Sequence, residues 1–152
     1  MAFTFCPGGP CYRVLMSKHV VCPLRDLPPG NRKVATIDGR PIVIFNIKGE
    51  LFALLDRCPH QGGRLSRGEL TGLVEASEPG QYCYSRGGEI LRCPWHGWEF
   101  DVRTGKSWCD PSRIRTKSYH VAIEPGNKLV EGPYMAEAFQ VTVEDDYVVV
   151  EA

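Results

Sequence analysis

The fold and the chemistry of this chain depend on two short stretches, CPHQGG at residues 58–63 and CPWHGW at residues 93–98. Each stretch places one cysteine and one histidine within a single turn, first as Cys-x-His and then as Cys-x-x-His. Two thiolates and two imidazoles are the ligands of a [2Fe–2S] cluster in which one iron is held by cysteine and the other by histidine. The candidate ligands are Cys58, His60, Cys93 and His96.

Zinc is the alternative metal, because a tetrahedral zinc site accepts any mixture of thiolate and imidazole. Zinc fingers usually group like with like, with two cysteines in one knuckle and two histidines together. Here each loop is mixed, contains proline and glycine, and is flanked by strand-like sequence. The spacing therefore favours the cluster over zinc. Two unrelated Cys/His pairs would require the same coincidence twice.

The residues around these ligands resemble the Rieske iron–sulfur family, in its ferredoxin and ring-hydroxylating-oxygenase branch. The resemblance is carried by Gly62 and Gly63, by HGWEFD at residues 96–101 and by the Thr-Gly pair at residues 104–105. It runs continuously over about residues 20–110 and more loosely over the C-terminal strands.

This resemblance implies a single Rieske domain over residues 1–152 with one Rieske-type [2Fe–2S] cluster. The cluster loops would be residues 56–65 and 92–101, and a proline-containing loop at residues 107–111 would cover the cluster. The two ligand-bearing hairpin loops would form a small cluster-binding subdomain on a larger β structure.

Strand signals recur at short spacing with turn residues between them, which predicts an all-β fold, an antiparallel β-sandwich or barrel. Asp-Gly at residues 38–39 and Lys-Gly at residues 48–49 are good hairpin turns. No segment shows sustained helical periodicity, so we expect little helix. The predicted strands are 18–22, 33–37, 42–47, 51–55, 89–92, 99–102, 118–123, 141–143 and 147–150, the last two closing the domain as a hairpin.

Three segments look like additions to a minimal domain of this family: residues 1–16, 71–88 and 126–140. The middle segment predicts an extra hairpin through residues 81–85. These additions are either surface excursions, tolerated because loop length costs little free energy, or a surface on which a partner docks.

Composition narrows the class of partner. The chain has 18 basic and 18 acidic residues, so neither nucleic acid nor a membrane is expected as a partner. No apolar run is long enough to span a bilayer, and residues 1–10 contain no basic residue, so we expect no signal or anchor and a cytoplasmic protein. Spare cysteines are then reduced thiols; they are Cys6, Cys11, Cys22, Cys83 and Cys109.

Enzymatic activity is not expected from this chain alone. An oxygenase also needs a mononuclear iron held by two histidines and a carboxylate, and only His19 and His120 remain. Both are interpreted as solvent-facing strand residues. The resemblance therefore implies a ferredoxin that carries single electrons from a flavoprotein reductase to a terminal oxygenase. The alternatives are a small oxygenase subunit, with the catalytic iron on another chain, and a redox-sensing module.

Departures from the respiratory members of the family predict a low reduction potential. Those members have a second cysteine in each loop, forming a disulfide, where this chain has Gly63 and Trp95. They also have a serine and a tyrosine that donate hydrogen bonds to sulfur, where this chain has Trp98 and Phe100. Fewer hydrogen bonds to sulfur make the reduced cluster less stable.

The tips of the predicted ligand loops are unusually apolar for exposed loops. We expect Trp95 to anchor a partner protein there, unless it packs over the cluster instead. The residues of this apolar rim are Pro59, Gln61, Trp95, Trp108 and Pro111.

Overall fold

The computed structural model describes residues 16–131 and 144–152. Several predictions fall outside these ranges: Cys6 and Cys11, the strand at residues 141–143, and most of the first and third extra segments. Within the described residues the chain forms nine strands and a six-residue helix, α1 (Gly126–Glu131). The strands are β1 (Lys18–Pro23), β2 (Arg32–Ile37), β3 (Arg40–Ile47), β4 (Glu50–Leu55), β5 (Glu69–Glu78), β6 (Gln81–Arg92), β7 (Glu99–Asp101), β8 (Ser118–Pro125) and β9 (Asp146–Glu151).

Two antiparallel sheets make up the fold. Six strands pair in the order β1-β9-β8-β4-β3-β2 and curl into a nearly closed barrel, and three strands pair in the order β5-β6-β7. The smaller sheet carries the second ligand loop between β6 and β7, whereas the first ligand loop follows β4 of the barrel. The predicted all-β class, the barrel and the separate small subdomain are confirmed.

Strand β3 joins the two parts of the molecule because both of its faces are buried. Ile42 and Ile44 point into the barrel, where they pack with Val148 and Val150 of β9. Val43, Phe45 and Ile47 point the other way and pack against the small sheet and the ligand loops. Alternate side chains of a strand lie on opposite faces, so the largely apolar residues 42–47, interrupted by Asn46, contribute to two cores.

The segment at residues 71–88 is the stem of the second ligand loop. It belongs to one long hairpin, in which β5 and β6 pair from Glu69↔Arg92 to Glu78↔Gln81. The prediction of a short hairpin at residues 81–85, separate from a strand at 89–92, was wrong in its bounds, and β5 was not predicted. Pairing with β5 makes a single twelve-residue strand of β6, which ends directly before Cys93.

The C-terminal prediction holds in part. Strand β9 covers the predicted residues 147–150, and it pairs with both β1 and β8 in the middle of the barrel wall. In the third extra segment, residues 126–131 form α1. No helix in the described residues is long and apolar enough to cross a membrane.

A network of ion pairs fastens the hairpin to the second ligand loop. Arg103 and Arg86 both bind Glu89, at 3.2 and 3.0 Å, and Arg86 also lies 2.8 Å from Asp101 of β7. Hydrogen bonds from Arg103 and then from Arg86 lower the pKa of the Glu89 carboxyl to about 2. The charge of Glu89 therefore stabilises the folded chain relative to the unfolded one.

We expect Glu89→Gln to lower the unfolding temperature at about pH 6, and the difference from the wild type to shrink as the pH falls. The pKa of Glu89 in the folded chain, about 2, lies below the ordinary glutamate pKa of 4.5. The stabilisation by the Glu89 charge is therefore complete at a pH above the ordinary pKa, and it is lost as the pH falls towards the pKa of the folded chain. Thermal unfolding between about pH 6 and pH 3 measures this. Glu78→Gln, at the exposed hairpin tip, is the control. A difference that stays constant with pH would contradict the prediction.

Candidate metal centre

The two ligand loops adopt the same backbone turn. In the first loop the Cys58 N–H donates to the Gly63 carbonyl at 2.8 Å, and the Gly62 N–H donates back to the Cys58 carbonyl at 2.8 Å. In the second loop the Cys93 N–H donates to the Trp98 carbonyl at 2.7 Å. The Gly97 N–H donates to the Cys93 carbonyl at 3.0 Å. Each turn thus begins at a cysteine and encloses a histidine.

Glycine is required at the fourth position after each cysteine. Gly62 has φ of 83° and Gly97 has φ of 71°, a left-handed conformation that costs other residues about 1–2 kcal/mol. The two histidines lie at different offsets, two and three residues after their cysteines, yet the shared turn brings both to the same end of the molecule. The different spacings in the sequence thus give equivalent loops.

The structure brings all four predicted ligands together and sorts them by burial. Cys58 and Cys93 are each 2% exposed and belong to the core between barrel and small sheet. His60 and His96 are exposed, with ring centroids 5.0 Å apart and the rings nearly perpendicular. The thiols therefore lie inside and the imidazoles outside.

Two backbone N–H groups donate to the Cys58 sulfur, although the pKa of the thiol is raised overall. Burial raises the pKa of the Cys58 thiol, the His60 N–H opposes this by donating a hydrogen bond to the sulfur, and a hydrogen bond with the Cys93 thiol raises the pKa again. The Gln61 N–H also donates to this sulfur. Backbone donors aimed at a buried sulfur stabilise negative charge there, which a metal-bound thiolate carries.

The arrangement in two pairs fits a two-iron cluster. The Cys58 and Cys93 thiols are hydrogen-bonded to each other, and the His60 and His96 ring centroids lie 5.0 Å apart. Two thiols and two imidazoles thus face each other as pairs. A [2Fe–2S] cluster with one cysteine-bound and one histidine-bound iron requires this arrangement.

A comparison with protein families identifies the family of this chain and its cofactor. The Rieske [2Fe–2S] domain model matches residues 17–120, which include both ligand loops. The chain belongs to the Rieske [2Fe–2S] family. Its cofactor is accordingly one Rieske-type [2Fe–2S] cluster, which confirms the prediction of cluster over zinc.

Relatives of this Rieske protein include the 3-phenylpropionate/cinnamic acid dioxygenase ferredoxin subunits of Escherichia coli (strain K12) and Shigella flexneri serotype 5b. Each is 29% identical over 119 residues, covering 78% of this chain and 96% of the relative. The ferredoxin of carbazole 1,9a-dioxygenase from Nocardioides aromaticivorans IC177 has a similar fold, with a TM-score of 0.53, 20% identity, and coverage of 87% of this chain and 96% of that chain. The predicted electron-transfer role agrees with these relatives and is confirmed.

The Rieske loops are held by residues that sequence reasoning did not single out. The buried carboxylate of Asp56 accepts hydrogen bonds from the Ser66 N–H at 2.5 Å and from the Ser66 hydroxyl at 2.7 Å. These two hydrogen bonds join the residues at the two ends of the first loop. The sequence feature that could have pointed to Asp56 is its position, directly after the apolar strand β4 and two residues before the candidate ligand Cys58.

Gly63 lets the two loops touch. A Cβ atom at this position would lie 3.0 Å from Cγ of Trp95 and 3.1 Å from Sγ of Cys93. Trp98 lies partly buried behind the loops, with its ring 4.9 Å from the His60 ring. The positions where respiratory members have a bridging cysteine and a serine are therefore used here for packing.

The predicted covering loop is tied to the second ligand loop. The Trp108 N–H donates to the Glu99 carbonyl at 2.8 Å, and the Ser107 N–H donates to the Ile114 carbonyl at 2.9 Å. The apolar rim is exposed as predicted, with Trp95 59% and Trp108 48% exposed. The Trp95 ring also lies against Gly63 of the first loop, so its two predicted roles are distinguished by the Trp95→Ala experiment described below.

The two spare histidines differ from each other. His120 is exposed, with 65% of its side chain accessible, as predicted. The prediction for His19 was wrong, because only 11% of its side chain is accessible. Its Nε2 bonds the Ser17 hydroxyl at 2.7 Å and lies 3.8 Å from Asp38, since β1 closes the barrel near the β2–β3 turn.

Proposed function

We propose that Cys58, His60, Cys93 and His96 hold the cluster and that the chain passes single electrons from a flavoprotein reductase to a terminal oxygenase. The observation that carries the proposal is the sorting of the ligands, with buried thiols and exposed imidazoles. The proposal treats all 152 residues as a single domain. When bound, the cluster supplies a centre that accepts and releases one electron.

Each ligand pair has a distinct part in this function. Cys58 and Cys93 lie where Leu91, Phe100 and Val43 exclude water from the sulfurs. His60 and His96 lie at the surface, where a partner can approach within a short distance of the cluster. The oxygenase as acceptor is supported by the relatives that are named as ferredoxin subunits of dioxygenases.

The proposed location is the cytoplasm. Thiols stay reduced in that compartment, and the described cysteines Cys22, Cys83 and Cys109 are all free. Cys83 and Cys109 are exposed and would be open to oxidation elsewhere.

A small subunit permanently bound to an oxygenase is the second candidate. It is favoured by an exposed apolar face on the β5–β6 hairpin, where Val74, Tyr82 and Tyr84 are 66%, 76% and 62% exposed. A carrier purifies alone, whereas a subunit of this kind remains with a larger chain. Size-exclusion chromatography of the protein isolated from its own cells distinguishes the two.

The spectrum of the purified protein tests the proposed function directly. Anaerobic visible and EPR spectra are recorded before and after dithionite, together with iron analysis. We expect two irons per chain and an EPR signal that appears only on one-electron reduction. A colourless protein that contains stoichiometric zinc after growth in iron-replete medium would overturn the proposal.

We expect a reduction potential near the lower limit for Rieske centres, about −150 mV. Trp98 and Phe100 offer no hydroxyl to the cluster sulfurs, so the reduced state has fewer stabilising hydrogen bonds. The potential should also change little around neutral pH, since a low-potential oxidised cluster withdraws less charge from its imidazoles. Protein-film voltammetry from about pH 6 to pH 8 measures both properties, and a steep slope in the range where free histidine titrates would contradict them.

We expect Trp95→Ala to slow electron transfer to the oxygenase about tenfold or more, with spectrum and potential unchanged. The Trp95 side chain is 59% exposed at the loop tip, and a transient complex of less than about 1,200 Å² depends on few anchors. Stopped-flow mixing of the reduced protein with the oxygenase measures the rate.

Tyr82→Ala is the matched control for Trp95→Ala, because Tyr82 is an exposed aromatic residue on the distant hairpin. It should leave the transfer rate unchanged. If Trp95→Ala bleaches the cluster or leaves the rate unchanged, Trp95 is not the anchor. Slowing by Tyr82→Ala alone would move the docking surface to the hairpin.

A further inference from the structure

A groove of about 620 Å³ opens beside the first ligand loop. One wall is formed by residues 57–62, which include the exposed His60, and the other by residues 115–117. The charged side chains that line it are all cationic: Arg57, Arg115 and Lys117. The groove is therefore a positively charged recess next to a proposed iron ligand.

Hydrogen bonds fix the backbone that carries these cations. The buried Thr116 hydroxyl donates to the Leu55 carbonyl at 3.2 Å, and the Leu55 N–H donates to the Lys117 carbonyl at 2.8 Å. Lys117 Nζ also lies 4.8 Å from the centre of the Tyr119 ring. These hydrogen bonds join residues 116–117 to the end of β4, directly before the wall formed by residues 57–62.

The cluster end of the chain carries an excess of positive charge. Residues 56–67 and 104–117 contain seven Arg and Lys and only two Asp, although the whole chain is neutral. Asp56 is occupied by Ser66, and Asp110 lies 4.0 Å from Arg113. Among the described residues no carboxylate lies within 4.0 Å of the cations of the groove, Arg57, Arg115 and Lys117.

We propose that this groove receives an acidic, carboxylate-rich segment of the protein that exchanges electrons with the cluster. The inference rests on the proposed function and adds the chemistry of the partner and the side, that of His60, from which it approaches. Unpaired cations steer an acidic partner and raise its rate of association. The groove is open and continuous with exposed Pro59 and Gln61 of the apolar rim, so one protein surface can cover both.

Small oxidants of opposite charge test the field at the groove. The reduced holoprotein is mixed with hexacyanoferrate(III), an anion, or with hexaammineruthenium(III), a cation; each takes one electron from the protein. The groove variant is the double substitution Arg115→Glu with Lys117→Glu. The control variant is Lys48→Glu with Lys128→Glu, which changes the net charge equally at exposed positions.

The control residues are distant from the groove. Lys48 precedes β4, whose other end leads into the first ligand loop, and Lys128 follows β8, which begins next to Lys117. Strands of six and eight residues separate them from the groove, or about 20–25 Å at about 3.3 Å per residue. At about 0.1 M ionic strength, charges that far away are screened.

We expect the groove variant to slow oxidation by the anion about tenfold and to speed oxidation by the cation, while the control changes either rate less than about twofold. Equal effects of the two variants would overturn the proposal. Spectrum and potential are measured on the same samples. A protein without a one-electron cluster refutes the proposed function, whereas a normal cluster with equal oxidation rates refutes only the groove.

A labelled octa-glutamate peptide tests binding without electron transfer. Fluorescence anisotropy should show that the peptide binds the wild type and the control variant, and that it binds the groove variant at least about fivefold more weakly. Binding to the wild type should weaken as the salt concentration rises. Equal binding to all three proteins would overturn the proposal. Displacement of the peptide by an equal concentration of inorganic phosphate would also overturn it, because the groove would then be a site for small anions.

Discussion

Replacing Cys58 with serine or His96 with alanine should abolish cluster binding, with iron falling from two atoms per chain to background. Serine and alanine offer no soft ligand to iron, and three remaining ligands leave one iron with a single protein ligand. Both loops should also lose stability, because assembly of a metal site is coupled to folding. Iron analysis, the visible spectrum and thermal unfolding measure these effects.

Controls for this experiment use the same residue types away from the site. Cys83 and His120 are exposed, so Cys83→Ser and His120→Ala should keep the full iron content and colour. A full iron content in Cys58→Ser would refute the ligand assignment. Loss of iron in Cys83→Ser would point to a ligand that the proposal does not include.

Gly105→Ala should destabilise the protein by about 2–5 kcal/mol, through left-handed strain and a steric clash. Gly105 has φ of 72°, and a Cβ there would lie 2.3 Å from the Thr116 carbonyl oxygen. The Thr116 N–H also donates to the Gly105 carbonyl at 2.8 Å. The added methyl group must therefore push apart the segments that contain Gly105 and Thr116. These segments flank the predicted covering loop, and Thr116 belongs to one wall of the groove. Chemical denaturation gives the free energy of unfolding.

Gly39→Ala is the matched control for Gly105→Ala. Gly39 has φ of 73° in the β2–β3 turn, and a Cβ there would meet nothing within 4 Å. It should cost only about 1–2 kcal/mol of conformational strain. The difference between the two variants isolates the clash with Thr116. Equal costs would show that the Thr116 segment moves away freely and does not brace the site.

Much of the geometry of the candidate site was predictable because the residues concerned are close together in the sequence. Each cysteine and its histidine lie within one turn of a few residues, and the glycine that closes each turn is nearby. The positions of the candidate ligands relative to each other within a loop therefore follow from their spacing in the sequence. The strands of the barrel were predictable for the same reason, since alternation and hairpin turns are read within a few residues. The exposure of Trp95 followed from its place at the tip of such a turn.

The errors concern features that depend on pairing between distant segments. Strand β5 is polar and exposed at its far end, so its sequence carries no strong strand signal, and its partner β6 decides its structure. His19 looked like a surface residue, but the closure of the barrel brings it next to Asp38. Asp56 and Ser66 could not be paired without knowing how the first loop folds back.

The sequence by itself determined the candidate donor atoms, the turns that carry them and the β class, because these depend on residues that are neighbours in the chain. Only the tertiary structure decided that the thiols are buried while the imidazoles are exposed, because that requires β3 to pack against the small sheet. It also decided where charge accumulates. A neutral chain has no net field, yet the pairing of β4 with β8 brings Arg57 to the same groove as Arg115 and Lys117.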